Sequence, residues 1–261
     1  MNVRREAILN ELAEDGYVAV EALARKLDVS QMTVRRDLDR LEQEKIVLRT
    51  HGGAMLDLGR GGERSIDERI VESYSEKRAI GRDAAKLVNQ GDTVIIDAGT
   101  TCLEIARQLI GRSGITVLSN SLPVLEMLSQ SDGLTVIGTG GEIKRREVAF
   151  VGPVAERMLS ERRATLAFIS ASGCALAEGP TDYDDAEVAV KRVMIAKSLR
   201  RYLVLDATKF GRVAPLVISP LSEFDGIVSD NRLSIELRKG LRRRELNVMC
   251  AKPIHSAVNS V

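Results

Sequence analysis

Between residues 93 and 229, short runs of apolar and β-branched residues take turns with segments of helical period, and this alternation constrains the fold more than any other feature. The strand-like runs are 93–97, 116–119, 134–137, 166–170, 202–206 and 227–229. Helical patterns fall at 76–88, 101–110, 122–130, 153–159, 186–198 and 234–243. A crossover helix returns each strand to the same end of the sheet, so the expected class is α/β with a largely parallel sheet over residues 76–251. Ligands of such open sheets bind at the carboxyl ends of the strands.

The first 56 residues follow a different pattern. Ile8, Leu9 and Leu12 share one helical face, Leu23, Ala24 and Leu27 another, and Asp28-Val29 turns the chain into Ser30, an N-cap residue. The third helix is expected to run from Gln31 to about Glu44. Val34, Leu38 and Leu41 recur at i, i+4 and i+7 and form its buried stripe, which places Arg36 almost opposite. Ser30, Gln31, Thr33, Arg35, Arg36 and Arg40 then supply donors for phosphates and base edges on the early, outer turns. A strand at 46–50, a turn at His51-Gly52-Gly53 and a return strand at 54–56 form a wing, from which Arg49 and His51 approach DNA; a single turn histidine is also compatible with simple solvation. A three-helix packing module with a charged face is the competing reading.

Composition narrows the partners. Thirty-eight Lys and Arg against 37 Asp and Glu give a net charge of +1, so DNA binding has to come from local placement of charge. With no Trp and 3% aromatic residues the chain lacks the stacking platforms that hold single strands, which leaves duplex DNA. Cys102, Cys174 and Cys250 are far apart and without metal-ligand spacing, as expected of reduced thiols in a cytoplasmic protein. No metal, nicotinamide or other cofactor is expected: His51 and His255 are the two histidines, and the third glycine of a dinucleotide fingerprint is replaced by Ile143. No apolar run is long enough for a membrane span. The glycines at 59, 61 and 62 mark residues 57–75 as a linker, and 252–261 reads as a tail.

The segment Ser30-Gln-Met-Thr-Val-Arg-Arg-Asp-Leu38, followed by Leu48-Arg-Thr-His-Gly-Gly-Ala54, resembles the head of the DeoR family of bacterial sugar-catabolism regulators. The resemblance extends over nearly the whole chain. It continues through Glu76-Lys77, Ile80-Gly81, Asp97-Ala-Gly-Thr-Thr101, Ser119-Asn-Ser121, Gly140-Gly141, Gly152-Pro153, Gly173, Lys191 and Asp206-Ala-Thr-Lys209. It implies a winged helix-turn-helix joined to a sensor domain similar to ribose-5-phosphate isomerase and the coenzyme A transferases. Where this chain has Ile169-Ser170-Ala171, the family more often has Leu-Gly-Ala, which bears on the pocket floor and on ligand choice.

The residues support an effector site of their own accord. A buried strand ending at Asp97 leads through Gly99 into Thr100 and Thr101 at a helix start, where amides and hydroxyls suit an anion or simply cap the helix. Asn120, Ser121, Gly140 and Gly141 lie at neighbouring strand ends, and Lys209, unless it is only a loop lysine, brings a positive charge to that edge. With Gly173 and Asp182 these form the expected effector site, the phosphate lying near Thr100, Thr101 and Lys209 and the sugar hydroxyls near Asp97, Asn120 and either Asp182 or Asp184. The expected function is an operator-binding repressor of a carbohydrate-utilisation operon, at least dimeric, released by a phosphorylated sugar-like effector. A phosphosugar isomerase with a DNA-binding head is the rival; it needs a general base, and the segment 168–173, where that fold would be expected to place acids, has none, although Asp182, Asp184, Asp185 and Glu187 shortly downstream leave a displaced base open beside hydroxyl binding or a solvated acidic loop. A DNA-bound scaffold with a lost ligand is the third reading.

Overall fold

The computed structural model describes residues 3–15, 17–43, 47–49, 52–56, 69–70 and 72–253, and the chain divides into two units, Met1–Tyr74 and Ser75–Val261.

In the first unit the helices α1 (Val3–Asp15), α2 (Val20–Lys26) and α3 (Gln31–Gln43) stand with the short strands β1 (Tyr17–Ala19), β2 (Val47–Arg49) and β3 (Gly53–Leu56). Ile8, Leu12, Val34, Leu38 and Leu41 are all buried at its centre, so the stripe expected on α3 is the one that packs. Ser30 Oγ accepts from the Thr33 amide at 3.2 Å and caps α3. Pairing runs β1-β3-β2, antiparallel throughout. The hairpin was expected; β1 was not, because three residues between two helices show no period to read. Thr50 and His51, at the wing's turn, lie outside the described residues, as do 57–68 of the linker and 254–261 of the tail.

The second unit holds a seven-stranded sheet, ordered β15-β14-β12-β9-β4-β5-β6, in which every pair is parallel. Its strands are β4 (Thr93–Ile96), β5 (Ile115–Ser119), β6 (Leu134–Gly138), β9 (Ala164–Ile169), β12 (Ser198–Val204), β14 (Gly226–Asp230) and β15 (Asn247–Ala251). Alternation along β4 sorts the core into two. Val94 and Ile96 pack with α4 (Tyr74–Ala85), α5 (Thr100–Arg107) and α6 (Leu122–Leu128), whereas Ile95 packs with α7 (Pro153–Ser160), α8 (Asp185–Ala196) and α9 (Ile235–Arg242). Both faces are therefore covered, which explains why the strands read as continuous apolar runs. Smaller antiparallel pieces lie outside the main sheet: β7 (Glu142–Lys144) pairs with β8 (Ala149–Val151), and β10 (Gly173–Ala175) and β13 (Leu216–Val217) flank β11 (Gly179–Asp182). Among the described residues no helix is long and apolar enough to cross a membrane.

The strand order fixes where a ligand can enter. From β4 the chain moves outward to β5 and β6, then returns to the other side of β4 as β9 and moves outward again through β12, β14 and β15. Connections leave β4 and β9 in opposite directions, so a crevice opens at the carboxyl ends of these two strands.

Candidate functional site

On α3, Gln31, Arg35, Arg36 and Arg40 are exposed and Thr33 is half-buried, its hydroxyl 2.9 Å from that of Ser30. The acids of the same helix are engaged within the head. Arg4 on α1 holds Asp37, Asp39 Oδ1 accepts from Arg49 Nε at 3.1 Å, and Glu42 Oε1 accepts from the Arg49 amide at 3.0 Å. Cations on the outer face are thus left to dominate. Arg49, expected at the DNA backbone, has its guanidinium turned onto protein acceptors: besides Asp39 it donates to the Gly53 carbonyl at 2.6 Å.

In the second unit the crevice between β4 and β9 contains a closed charge cluster. Asp97, immediately after β4, is fully buried; its Oδ1 accepts from the Ala98 amide at 2.8 Å and its Oδ2 from the Ser170 amide at 3.0 Å. Lys191 Nζ, reaching in from α8, lies 2.9 Å from Asp97 Oδ2, 3.1 Å from the Ser170 carbonyl and 3.2 Å from Asp182 Oδ2. Asp182 is buried as well and accepts from Ser172 Oγ at 2.7 Å and the Tyr183 amide at 3.0 Å. Burial acts to lower the lysine's pKa, but the charges of Asp97 and Asp182 outweigh it and raise the value well above the ordinary one. Burial likewise acts to raise Asp182, and Lys191 with the two hydrogen bonds brings it below the usual carboxylate range. An acid so held is a poor proton acceptor, which counts against Asp182 as a general base.

The hydroxyl of Ser170 ties the cluster to the next turn. It stands 2.6 Å from the Ala98 carbonyl, 3.0 Å from Asp97 Oδ2 and 3.2 Å from Lys191 Nζ. Gly99 has φ 122°, in a region essentially reserved for glycine, and a Cβ there would meet Ser170 Oγ at 3.0 Å. The chain turns at this point into α5, whose N-cap Gly99 offers no side-chain acceptor to the first-turn amides, with Thr100 and Thr101 buried beside them.

The neighbouring strand ends continue the row. Register pairs Ile96 with Ser119 and Ser119 with Gly138, so Asp97, Asn120 and Thr139 follow one another just past the ends of β4, β5 and β6. Asn120 Nδ2 donates to the Phe150 carbonyl at 3.3 Å, whereas Asn120 Oδ1 and Thr139 Oγ1 are buried without a hydrogen-bond partner among the described residues. Such atoms are costly to leave unsatisfied.

Other expected site residues have structural work. Ser121 Oγ caps α6 through the Val124 amide. Asp184, weighed for hydroxyl binding, caps α8 through the Ala186 and Glu187 amides and pairs with Lys144 at 2.5 Å. Gly140 and Gly141, with φ 66° and 118°, make the turn into β7. Gly173 admits the Arg212 carbonyl, which a Cβ would meet at 2.4 Å. Lys209 lies in the turn after β12, with β9 between that strand and β4. Cys102 and Cys174 are buried, which raises both thiols, Cys174 to about 12, so neither is a ready nucleophile.

Lys191 and Thr139 are the residues whose roles sequence reasoning missed. The signal for Lys191 was present: it stands four residues after Glu187 and three before Met194, on the face of α8 that is buried, and a lysine there requires buried counter-charge. Thr139 gave no such signal.

Residues 4–58 match the model of the DeoR-like helix-turn-helix domain, and residues 72–231 that of the DeoR C-terminal sensor domain. The uncharacterized HTH-type transcriptional regulator YgbI of Escherichia coli (strain K12) is 38% identical over 249 residues, 95% of this chain and 97% of that protein. The lactose phosphotransferase system repressor of Lactococcus lactis subsp. lactis is 35% identical, over 90% of this chain and 93% of its own. The glycerol-3-phosphate regulon repressor of Escherichia coli (strain K12) is 31% identical, over 87% and 90%. Among solved structures, ribose-5-phosphate isomerase A of Methanocaldococcus jannaschii is similar in fold, with TM-score 0.41 and 14% identity over 53% of this chain and 55% of that one. The three sequence relatives are named as a transcriptional regulator and two repressors, and the chain belongs to the DeoR family of transcriptional regulators.

Proposed function

We propose that this regulator represses a carbohydrate-utilisation operon from the cytoplasm, binds its operator as at least a dimer, and is released by a phosphorylated sugar or sugar-like effector held at the carboxyl edge of β4, β5 and β6. The observation that carries the reading is the row Asp97, Asn120 and Thr139 beside the uncapped start of α5, two of its members having buried oxygens without a protein partner. Amides and the positive helix end favour the phosphate, joined by Thr100, Thr101 and Lys209. Asp97, Asn120 and Thr139 suit the hydroxyls. Asp182 and Lys191 are assigned to holding Asp97 in place, because their charges already satisfy one another. The names of two relatives, a lactose phosphotransferase system repressor and a glycerol-3-phosphate regulon repressor, support the class of effector. A dimer follows from affinity, since one small head offers few contacts and two linked heads bind repeated half-sites far more tightly.

An effector moves the heads only if it binds the DNA-competent and DNA-incompetent states unequally, typically by about 1–3 kcal/mol. The test is a titration of DNA upstream of the neighbouring genes with and without a panel of sugar phosphates, each paired with its dephosphorylated form. Release by one phosphorylated member alone supports the reading; equal response to both forms of every member overturns it. Light scattering that finds a monomer, free and on DNA, overturns the dimer.

A further inference from the structure

Arg49 is placed where a wing residue would meet a DNA phosphate, yet its polar groups are held three ways within the head. Its amide donates to Glu42 and its guanidinium to Asp39 and to the carbonyl of Gly53. Two of these acceptors belong to α3 and the third to β3, so Arg49 joins the recognition helix to both strands of the wing. Its side chain is 22% exposed, whereas Arg35, Arg36 and Arg40 are exposed.

We propose that Arg49 is a positioning residue, locked by Asp39 and Glu42, that fixes the wing's register on α3 and does not neutralise a DNA phosphate. The proposal rests on α3 being the helix that enters the groove. Its physical basis is the cost of exchange. If Arg49 left for a phosphate, Asp39 would face the DNA without this counter-charge, and the carbonyl of buried Gly53 would lose the guanidinium's hydrogen bond. The lock also tells the sequence something that charge counting cannot: Asp39, set among the cations of the recognition helix, is silenced by a residue of the wing.

The consequence is readable in salt. Each phosphate neutralised contributes about −0.9 to the slope of log K against log salt. A duplex selected from a random pool by the full-length wild type, and a scrambled duplex of equal length, serve as probes. For Arg49→Gln the expectation is about a tenfold loss on the selected duplex, unchanged binding to the scrambled one and an unchanged slope. For Asp39→Asn, which frees the guanidinium while keeping the Gly53 contact, the slope steepens by about 0.9 and the ratio of specific to non-specific affinity falls. In the double variant the steepening disappears, which separates a liberated Arg49 from the mere removal of an acid. A slope shallower by about 0.9 in Arg49→Gln, with both duplexes weakened alike, overturns the proposal, as does steepening that persists in the double variant. Should Arg49→Gln fail to fold, Asp39→Asn decides alone: an unchanged slope overturns the lock. Failure of the wild type to select any sequence would instead remove the DNA-reading assignment of α3.

Discussion

Lys191 donates to Oδ2 of Asp97 at 2.9 Å across 94 residues of sequence, joining α8 to the end of β4 inside the crevice of the sheet. Asp182 stands on the lysine's other side at 3.2 Å, so removal of the lysine leaves two carboxylates buried together. Lys191→Met is expected to destabilise the sensor unit by about 3–5 kcal/mol, the cost of breaking a buried pair from one side. Thermal unfolding of the full chain measures it, and a melting temperature equal to the wild type's would deny the cluster its structural role.

The same cluster sets a pH dependence. Asp182 is lowered in the folded state, so its contribution is present above the ordinary carboxylate value of about 4 and is lost as pH falls through the folded value. Lys191 is raised, so its contribution is full below about 10.4 and is lost only as pH rises through the folded value. The share of stability due to this cluster is therefore expected to be flat between about pH 5 and 10. Denaturant unfolding across pH, with Asp182→Asn as the comparison, checks it: the difference between the two proteins should shrink below about pH 4.

Ser170 carries a separate expectation. Its hydroxyl serves the Ala98 carbonyl, Asp97 and Lys191 at once, in the place where related chains are expected to have glycine. Ser170→Gly is predicted to cost about 1–2 kcal/mol and to widen the crevice floor beside Gly99. Calorimetry with the sugar-phosphate panel should then show a changed order of preference. An unchanged order would show that the floor does not take part in ligand choice.

Arg36 lies opposite the buried Val34, Leu38 and Leu41, exposed on α3. Arg36→Ala should leave the melting temperature unchanged and weaken selected DNA by about 1–3 kcal/mol, with relaxed preference at one base pair. Fluorescence anisotropy on matched and single-mismatch duplexes is the measurement, and equal affinity for wild type and variant would remove Arg36 from the reading surface.

The parts of this molecule that were legible in sequence are those with local causes. Period 3.6 exposed the α3 stripe, apolar runs exposed six strands of the sheet, and Ser30 marked its helix start. Strand β15, Asn247-Val-Met-Cys-Ala251 at one edge of the sheet, has a single β-branched residue and so gave no strand-like run, and the two-to-four-residue antiparallel pieces gave too short a pattern. Residue roles were harder than elements because they depend on partners distant in the chain. Ser121 and Asp184, expected as ligand donors, cap helices in the structure, and Arg49, expected at a phosphate, has Asp39 beside it; none of these partners is visible in the local sequence. Lys191 could be recognised as buried, but nothing local pointed to Asp97 and Asp182 as its two acids.

Thr139 provides the sharpest test of the effector site, because its hydroxyl makes no bond that a substitution would break. Thr139 Oγ1 is buried and has no hydrogen-bond partner among the described residues, next in the row to Asn120. Replacement by the nearly isosteric valine removes a polar atom that the protein itself does not satisfy, so stability should stay the same or rise by up to about 1 kcal/mol. If the hydroxyl is there for the ligand, effector binding should weaken by about 1–3 kcal/mol in the same variant. Thr100→Val and Lys209→Ala should weaken it too, through the phosphate end, while all three leave effector-free DNA binding near that of the wild type. Calorimetry with the releasing sugar phosphate, paired with thermal unfolding without it, separates the two effects. A Thr139→Val protein that melts earlier and binds effector normally would make the hydroxyl a structural group and take the ligand away from this end of the row.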